Sequence, residues 1–356
     1  MLVQLDARDF RNIESLSWRL DGGTHLILGE NGAGKTSLLE AIYLLATTRS
    51  FRTSQLADCQ RHGQPAFELG GEVESDLRAR LELSFADKKV QRRVNGHRGS
   101  LAEHLSVLPV ICWTSEQGEV IGGGPGHRRR FLDRGVLGLR PAALEIMSRY
   151  RQTLSEKRRL LMDRGRGLEV WNQLLAETAA EWVRLRAEYV ERLAVVVSGL
   201  FDECGLDLPR VELRYRCSPR AAIDGVDALL RELEAVAPRE RAQRRALIGP
   251  HRDELEIRWT DQSVRRTASA GERKALGLLL LAAQGRILAS HQKQPLYLLD
   301  DIDTELDERR LSTLWKVFRT EGQIIATSNR SAVWTRIELD RFWQCRNGQI
   351  EAGPPP

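Results

Sequence analysis

Residues Leu28–Ile42 read LGENGAGKTSLLEAI. Gly29, Gly34, Lys35 and Thr36 stand at the spacing G-x-x-x-x-G-K-[ST], with Glu30, Asn31, Gly32 and Ala33 inside the loop. Thr24 to Leu28 is a short apolar run of strand character, and Thr36 to Leu45 reads as helix. The loop thus joins a strand to a helix. In that context its backbone N–H groups can point at phosphate oxygens while the helix offers its positive end. Gly32 and Gly34 permit close approach, Lys35 would reach the β- and γ-phosphates, and Thr36 would ligate Mg²⁺. The loop alone leaves the purpose of the nucleotide open: a phosphoryl donor, a fuel for transport, or a timer for a binding event.

Two further stretches narrow the choice. PLYLLDDIDTELD (Pro295–Asp307) is an apolar strand that delivers Asp300 and Asp301 at its carboxyl end, where ligands of open α/β sheets bind. Asp300 suits a Mg²⁺ coordination sphere, and Asp301 could polarise an attacking water. Together with the glycine loop they supply complementary halves of one Mg-nucleotide site. TASAGERKALGLLL (Thr267–Leu280) puts Ser269, Ala270, Gly271 and Glu272 at the start of an apolar helix. A serine and a glycine before a helix N-terminus are either a simple cap or a second anion site. The stretch resembles, in position, the signature loop of ATP-binding-cassette ATPases, which contacts the γ-phosphate bound by a second subunit. A small-molecule kinase has no use for such a loop.

Composition is that of a water-soluble globular chain. Of 356 residues, 42% are hydrophobic and 29% charged, enough for two domains and a sizeable core. No run of about 18 apolar residues suggests a membrane span, and the N-terminus has no secretory pattern, so no membrane and a reduced cytoplasmic setting are expected. The five scattered cysteines form no C-x-x-C pair and point neither to a disulfide framework nor to a zinc site. A net charge of +5 is only a mild hint of a polyanionic partner, but its distribution is uneven. Arg128, Arg129 and Arg130 are consecutive, and Lys157, Arg158 and Arg159 follow in the same basic segment. These are either a solvated, salt-bridged helix face or a nucleic-acid surface.

The order of elements places the motifs. Residues 1–20 read as two strands with a turn, and 66–95 as an antiparallel meander, with Leu77, Ala79, Leu81, Leu83 and Phe85 alternating and Asn95-Gly96 as a tight turn. Pro141 to Arg166 reads as one helix. Apolar residues from Trp171 to Leu200 recur at three- or four-residue steps as a second, long one. Val211 to Cys217 alternates as a strand, and Val226 to Val236 is helical. After Gly249 the pattern returns to strand, helix, strand: Leu255, Ile257 and Trp259 alternate, Ala275 to Leu288 is apolar almost all round, and Leu296–Leu299 and Gln323–Ala326 suit buried parallel strands. The tail EAGPPP is expected to be disordered. The expectation is an α/β fold: a P-loop ATPase head built from 1–111 plus 246–356, carrying an inserted, mostly helical second lobe, 112–245.

Taken together the stretches resemble the RecF family, relatives of the SMC ATPases. The likeness lies in Asp9–Thr53, in GGPGHRRRFLDRGV (Gly123–Val136), in LIGPHRDEL (Leu247–Leu255) and in LLDDIDTELD, and spans Met1 to about Asn329. The resemblance implies ATP and Mg²⁺ as cofactors, with Arg11, Asn12 and the whole loop Gly29–Thr36 at the nucleotide. It also implies Ser269 and Gly271 acting in trans on a second subunit of an ATP-dependent homodimer, and Thr304 to Asp307 signalling across it. Thr327 and Ser328 fall where many cassette ATPases carry a γ-phosphate-sensing histidine. With no histidine there, and Asp301 in place of the longer glutamate of transporters, a weak, DNA-stimulated ATPase is implied. The glutamine-loop role is open between Glu116 and Gln117. That of His251 and Arg252 is open between shaping the chain's return to the head and touching nucleotide. Partners implied are double-stranded and gapped DNA, RecR and RecO, with loading of RecA as the outcome. The bet for phosphate contacts falls on Arg128, Arg129, Arg130, Lys157, Arg158 and Arg159. The alternatives, a small-molecule P-loop kinase and the ATPase subunit of a transporter, lack a place for the signature loop and for the LIGPHRDEL stretch, respectively.

Overall fold

A strand with no exposed position has cover on both faces. Thr24–Leu28, Leu296–Leu299 and Gln323–Ser328 are such strands, buried along their whole length. In the computed structural model, which describes residues 1–75, 78–163, 166–259 and 262–355 except the side chains of 115–117, they form the middle of a six-stranded sheet. Its order is Gln349–Ala352, Arg341–Arg346, Thr24–Leu28, Gln323–Ser328, Leu296–Leu299, Val110–Trp113. All neighbours are parallel except the first pair, which is an antiparallel hairpin. The register pairs Ser328 with Leu28 and Leu299 with both Ala326 and Trp113. The carboxyl ends of the strands therefore line up, and the segments that follow them share one edge.

The helix Lys35–Thr47, which continues from the glycine loop, is buried at eleven of its thirteen positions. Its Leu38, Leu39, Ile42 and Leu45 belong to one core with Leu298 and Ile325 of the parallel sheet and with Leu5, Phe67 and Leu83 of a second sheet. That second sheet joins the meander expected over 66–95 to the two N-terminal strands, five antiparallel strands in the order Ile13–Arg19, Leu2–Phe10, Ala66–Glu74, Arg78–Ala86, Lys89–Val94. Asn95 and Gly96 both have positive φ (51° and 79°), as the turn read from sequence requires. Leu77 lies outside the described residues.

Two units emerge from the contacts: 1–119 with 199–208 and 269–356, and 120–198 with 209–268. The sequence division stood instead at 111 and 246. Strand Glu254–Trp259, read there as part of the head, pairs antiparallel with Glu212–Arg216 and falls in the second unit. Alternation reveals a strand but not its partner. Around this small sheet the second unit has helices Pro125–Leu139, Leu144–Met162 and Val226–Gln243 and most of the long helix Leu168–Cys204. Its core joins Tyr150 and Leu154 to Leu175, Ala179 and Val183 and to Leu229 and Leu233.

Candidate nucleotide site

Backbone geometry shapes the loop Gly29–Gly34. Gly32 and Gly34 have φ of 82° and 109°, which L-residues rarely adopt. A Cβ on Gly34 would lie 2.6 Å from Asn12 Nδ2, and one on Gly29 would lie 2.6 Å from the Cys345 carbonyl. The carbonyl of Ala33 accepts from Gly348 N–H at 2.7 Å and from Asn12 Nδ2 at 3.4 Å. Asn12 thus sits against the loop. Arg11 does not; its guanidinium forks onto Glu40 at 2.9 and 2.7 Å and reaches the Asp58 carbonyl. Glu40, fully buried on the helix that follows the loop, also accepts from Ser50, Arg52 and Cys59. Arg11 braces that helix instead of facing the phosphate cradle.

Lys35 and the aspartates converge at the sheet edge. Lys35 Nζ donates to the carbonyls of Gly29 (2.8 Å) and Glu30 (3.0 Å). Thr36 Oγ1 donates to Asp300, 3.1 and 3.0 Å from its two oxygens, across 264 residues of sequence. Thr327 Oγ1 donates to Asp300 Oδ1 at 2.8 Å and accepts from Asp301 N–H at 2.9 Å. Burial chiefly, and the charge of Asp301, push the Asp300 carboxyl above its ordinary range, against the hydrogen bonds of Thr327 and Thr36 and the charge of Lys35. Asp301 has a strained φ of 44°, and its Oδ1 is buried with no donor among the described residues.

The donor set suits Mg-nucleotide. A threonine hydroxyl and a carboxylate in contact are hard oxygen ligands, and the glycine cradle admits a phosphate chain. No cluster of three His, Cys, Asp or Glu that could hold a metal unaided occurs among the described residues. A Mg²⁺ here would therefore share phosphate oxygens and water with Thr36 and Asp300, as this ion commonly does.

One participant is invisible to motif reading. Lys274, in the second turn of helix Ala270–Ala289, is buried and donates to the Asp301 carbonyl (2.9 Å) and to Thr304 Oγ1 (2.6 Å). Burial lowers its pKa to about 8, while Glu305, Asp303, Asp301 and Asp300 hold it up. No local pattern marks it, because the acidic turn that it meets lies 27 residues further along the chain. Ser269 caps the same helix. It accepts from Glu272 N–H at 3.3 Å, and its own N–H donates to Glu272 Oε2 at 2.7 Å. Ser269 is exposed, and a Cβ on Gly271 would lie 2.8 Å from the Glu305 carbonyl, so the glycine lets the helix start touch the turn after Asp301. The side chains of Glu116 and Gln117 lie outside those described.

In the second unit the basic residues divide. Lys157, expected at a DNA surface, is fully buried and pairs with buried Glu240 at 2.7 Å. Arg128 is buried too, forked onto Glu254 at 2.6 and 3.0 Å, and Arg129 is half-buried and donates to the Asp253 carbonyl. For Lys157 and Arg128 the correction has one cause, that they serve the interior of the unit, whereas Arg129 keeps part of its surface open to solvent. Arg130, Arg158 and Arg159 are exposed. A network that sequence reading missed lies beside them. Buried Arg186 binds Asp133 at 2.7 Å and Asp253 at 2.9 Å, and Asp253 also accepts from Tyr215 and Ser218 N–H. His251 Nδ1 accepts from Tyr150 Oη at 2.8 Å, and Arg252 donates to the Ala246 carbonyl. His251 is half-buried and Arg252 exposed, and these bonds tie both to the second unit.

A family model described as the RecF/RecN/SMC N terminal domain matches residues 1–348. The DNA replication and repair protein RecF of Erwinia tasmaniensis is 34% identical over 364 residues, covering 99% of each chain. The chain belongs to the RecF family. Another relative, the RecF protein of Geobacter sp., is 29% identical over 98% of this chain and 99% of its own. Among solved structures, that of a recombination mediator RecF-ATP superimposes with a TM-score of 0.88 at 26% identity, covering 99% of this chain and 97% of that one. An Smc head bound to the C-winged helix domain of ScpA shares the fold alone, with a TM-score of 0.58 at 16% identity over 99% and 96% of the two chains. RecF membership agrees with the α/β ATPase-head fold, and no helix among the described residues is long and apolar enough to cross a membrane.

Proposed function

We propose that this RecF-family chain is an ATP-gated DNA-binding protein of recombinational repair. The observation that carries the reading is the Thr36–Asp300–Thr327 contact, which joins the two halves of a Mg-ATP site. Gly29–Thr36 and Asn12 would hold the phosphates, and Lys35 would turn from its two carbonyls to the β- and γ-phosphates. Charge neutralisation on those oxygens is the chemistry Mg²⁺ supplies when held by Thr36 and Asp300. Asp301 would orient the attacking water. Ser269 and Gly271 would meet the γ-phosphate of a second copy, so that ATP closes a homodimer. Lys274, bonded to Asp301 and Thr304, links that helix to the hydrolytic turn. Hydrolysis is weak and DNA-stimulated, and it reopens the dimer.

The closed dimer would bind duplex and gapped DNA near single-strand/double-strand junctions in the cytoplasm and, with RecR and RecO, promote loading of RecA. Of the six basic residues read from sequence, exposed Arg130, Arg158 and Arg159 are the ones to meet phosphates. DNA binding that contacts phosphates alone falls steeply with salt and shows little sequence preference. Duplex binding measured with Mg-ATP over a salt series tests this. The expected result is ATP-dependent binding, lost in Lys35→Met, with a log–log salt slope reduced by about 1 for each of Arg158→Ala and Arg159→Ala. Binding indifferent to ATP and to Lys35 would overturn the gated reading.

A further inference from the structure

The strand Gln323–Ser328 runs between the strand that ends in the glycine loop and the strand that ends in Asp300. A ligand reaching from the loop to Asp300 must cross the end of this strand. Three polar residues stand there, and two are occupied. Thr327 is bonded to Asp300 and Asp301, as described above. Ser328 Oγ donates to buried Asp303 at 3.0 Å and accepts from Arg330 N–H at 2.9 Å. Both are fully buried, so the position expected for a phosphate-sensing group is taken up by internal bonds.

Asn329 differs from both. It is exposed, and its Nδ2 donates to Asn31 Oδ1 at 3.0 Å, 298 residues away at the tip of the glycine loop. This bond ties the strand end to the loop with two carboxamides. It uses one of the four N–H groups that the two side chains carry. N–H donors beside a phosphate cradle, next to Lys35 and the Thr36–Asp300 pair, suit an anionic oxygen at the far end of a phosphate chain.

We propose that Asn329, held by Asn31, is a specificity-determining contact for the terminal phosphate of a nucleoside triphosphate. The inference rests on the nucleotide reading above and deepens it: the pair distinguishes triphosphate from diphosphate. A diphosphate would end short of the strand end, and a triphosphate would reach it.

The test is calorimetric titration of the full chain with Mg²⁺ and either a non-hydrolysable ATP analogue or ADP. In Asn329→Ala the triphosphate is expected to bind about tenfold more weakly, with ADP affinity kept within about twofold, the loss typical of a hydrogen bond to a charged group. Asn329→Asp keeps the shape and adds a negative charge, so it should weaken the triphosphate further and leave ADP affinity as it was. An unchanged melting temperature in both variants is expected, because the side chain is exposed. Equal losses for both nucleotides, or an unchanged ratio in either variant, would overturn the proposal. Wild-type protein that binds neither nucleotide would instead overturn the nucleotide reading itself.

Discussion

His251 carries a pH prediction. Burial first, then the charges of Arg158, Arg252 and Arg129, lower its pKa from 6.5 to about 4. Above pH 6.5 neither the folded nor the unfolded chain holds the proton. Between about 6.5 and 4 the unfolded chain takes up a proton that the folded chain refuses, so stability falls as pH falls; below 4 both hold it. The loss attributable to this residue is on the order of 3 kcal/mol across the window. Urea midpoints at about pH 7 and about pH 5, for the wild type and for His251→Gln, check it: the variant should lose less on acidification. At this scale the sequence was legible where a spacing carries the chemistry, as in Gly29–Thr36 and Asp300–Asp301. It was illegible where partners are remote. Arg186 meets Asp133 and Asp253 across 53 and 67 residues, and no local pattern announces that. Lys157 was misread for a different reason. Tyr150, Leu154, Lys157 and Leu161 share one buried stripe of their helix, and the three- and four-residue steps between them already placed the lysine inside.

Among the elements, helix Ala270–Ala289 is the most constrained. It is buried on nearly every side, as its almost wholly apolar run foretold. Gly285 lets it lie on the parallel sheet: a Cβ there would fall 1.6 Å from Tyr297 Oη. Gly285→Ala should therefore cost about 1–3 kcal/mol by overpacking, read from urea unfolding, and Tyr297→Phe should relieve part of it by removing the hydroxyl. A neutral Gly285→Ala would mean that the helix has room to shift. The long helix read from Trp171 to Leu200 is present as Leu168–Cys204, because its stripe is regular over many turns. Strand Glu254–Trp259 was found but placed in the head, since pairing is decided by tertiary contacts that alternation does not encode.

At the scale of the whole molecule, both ends of the chain build one head: the glycine loop comes from the third strand, and Asp300 and Thr327 come from the last third of the sequence. Of the long span between Thr36 and Asp300, residues 120–198 and 209–268 form the second unit, and the rest belongs to the unit that carries the site. Ser269, exposed at a helix N-terminus of the same unit, is the feature by which a second copy would complete the site. The most direct measurement of that claim is the molar mass in solution by light scattering, with and without Mg-ATP, for the wild type, Lys35→Met and Ser269→Arg. The account predicts a mass that rises from 40.3 kDa toward twice that value only when the wild type is given Mg-ATP. A mass that ignores ATP, or a Ser269→Arg variant that associates as well as the wild type, would contradict it.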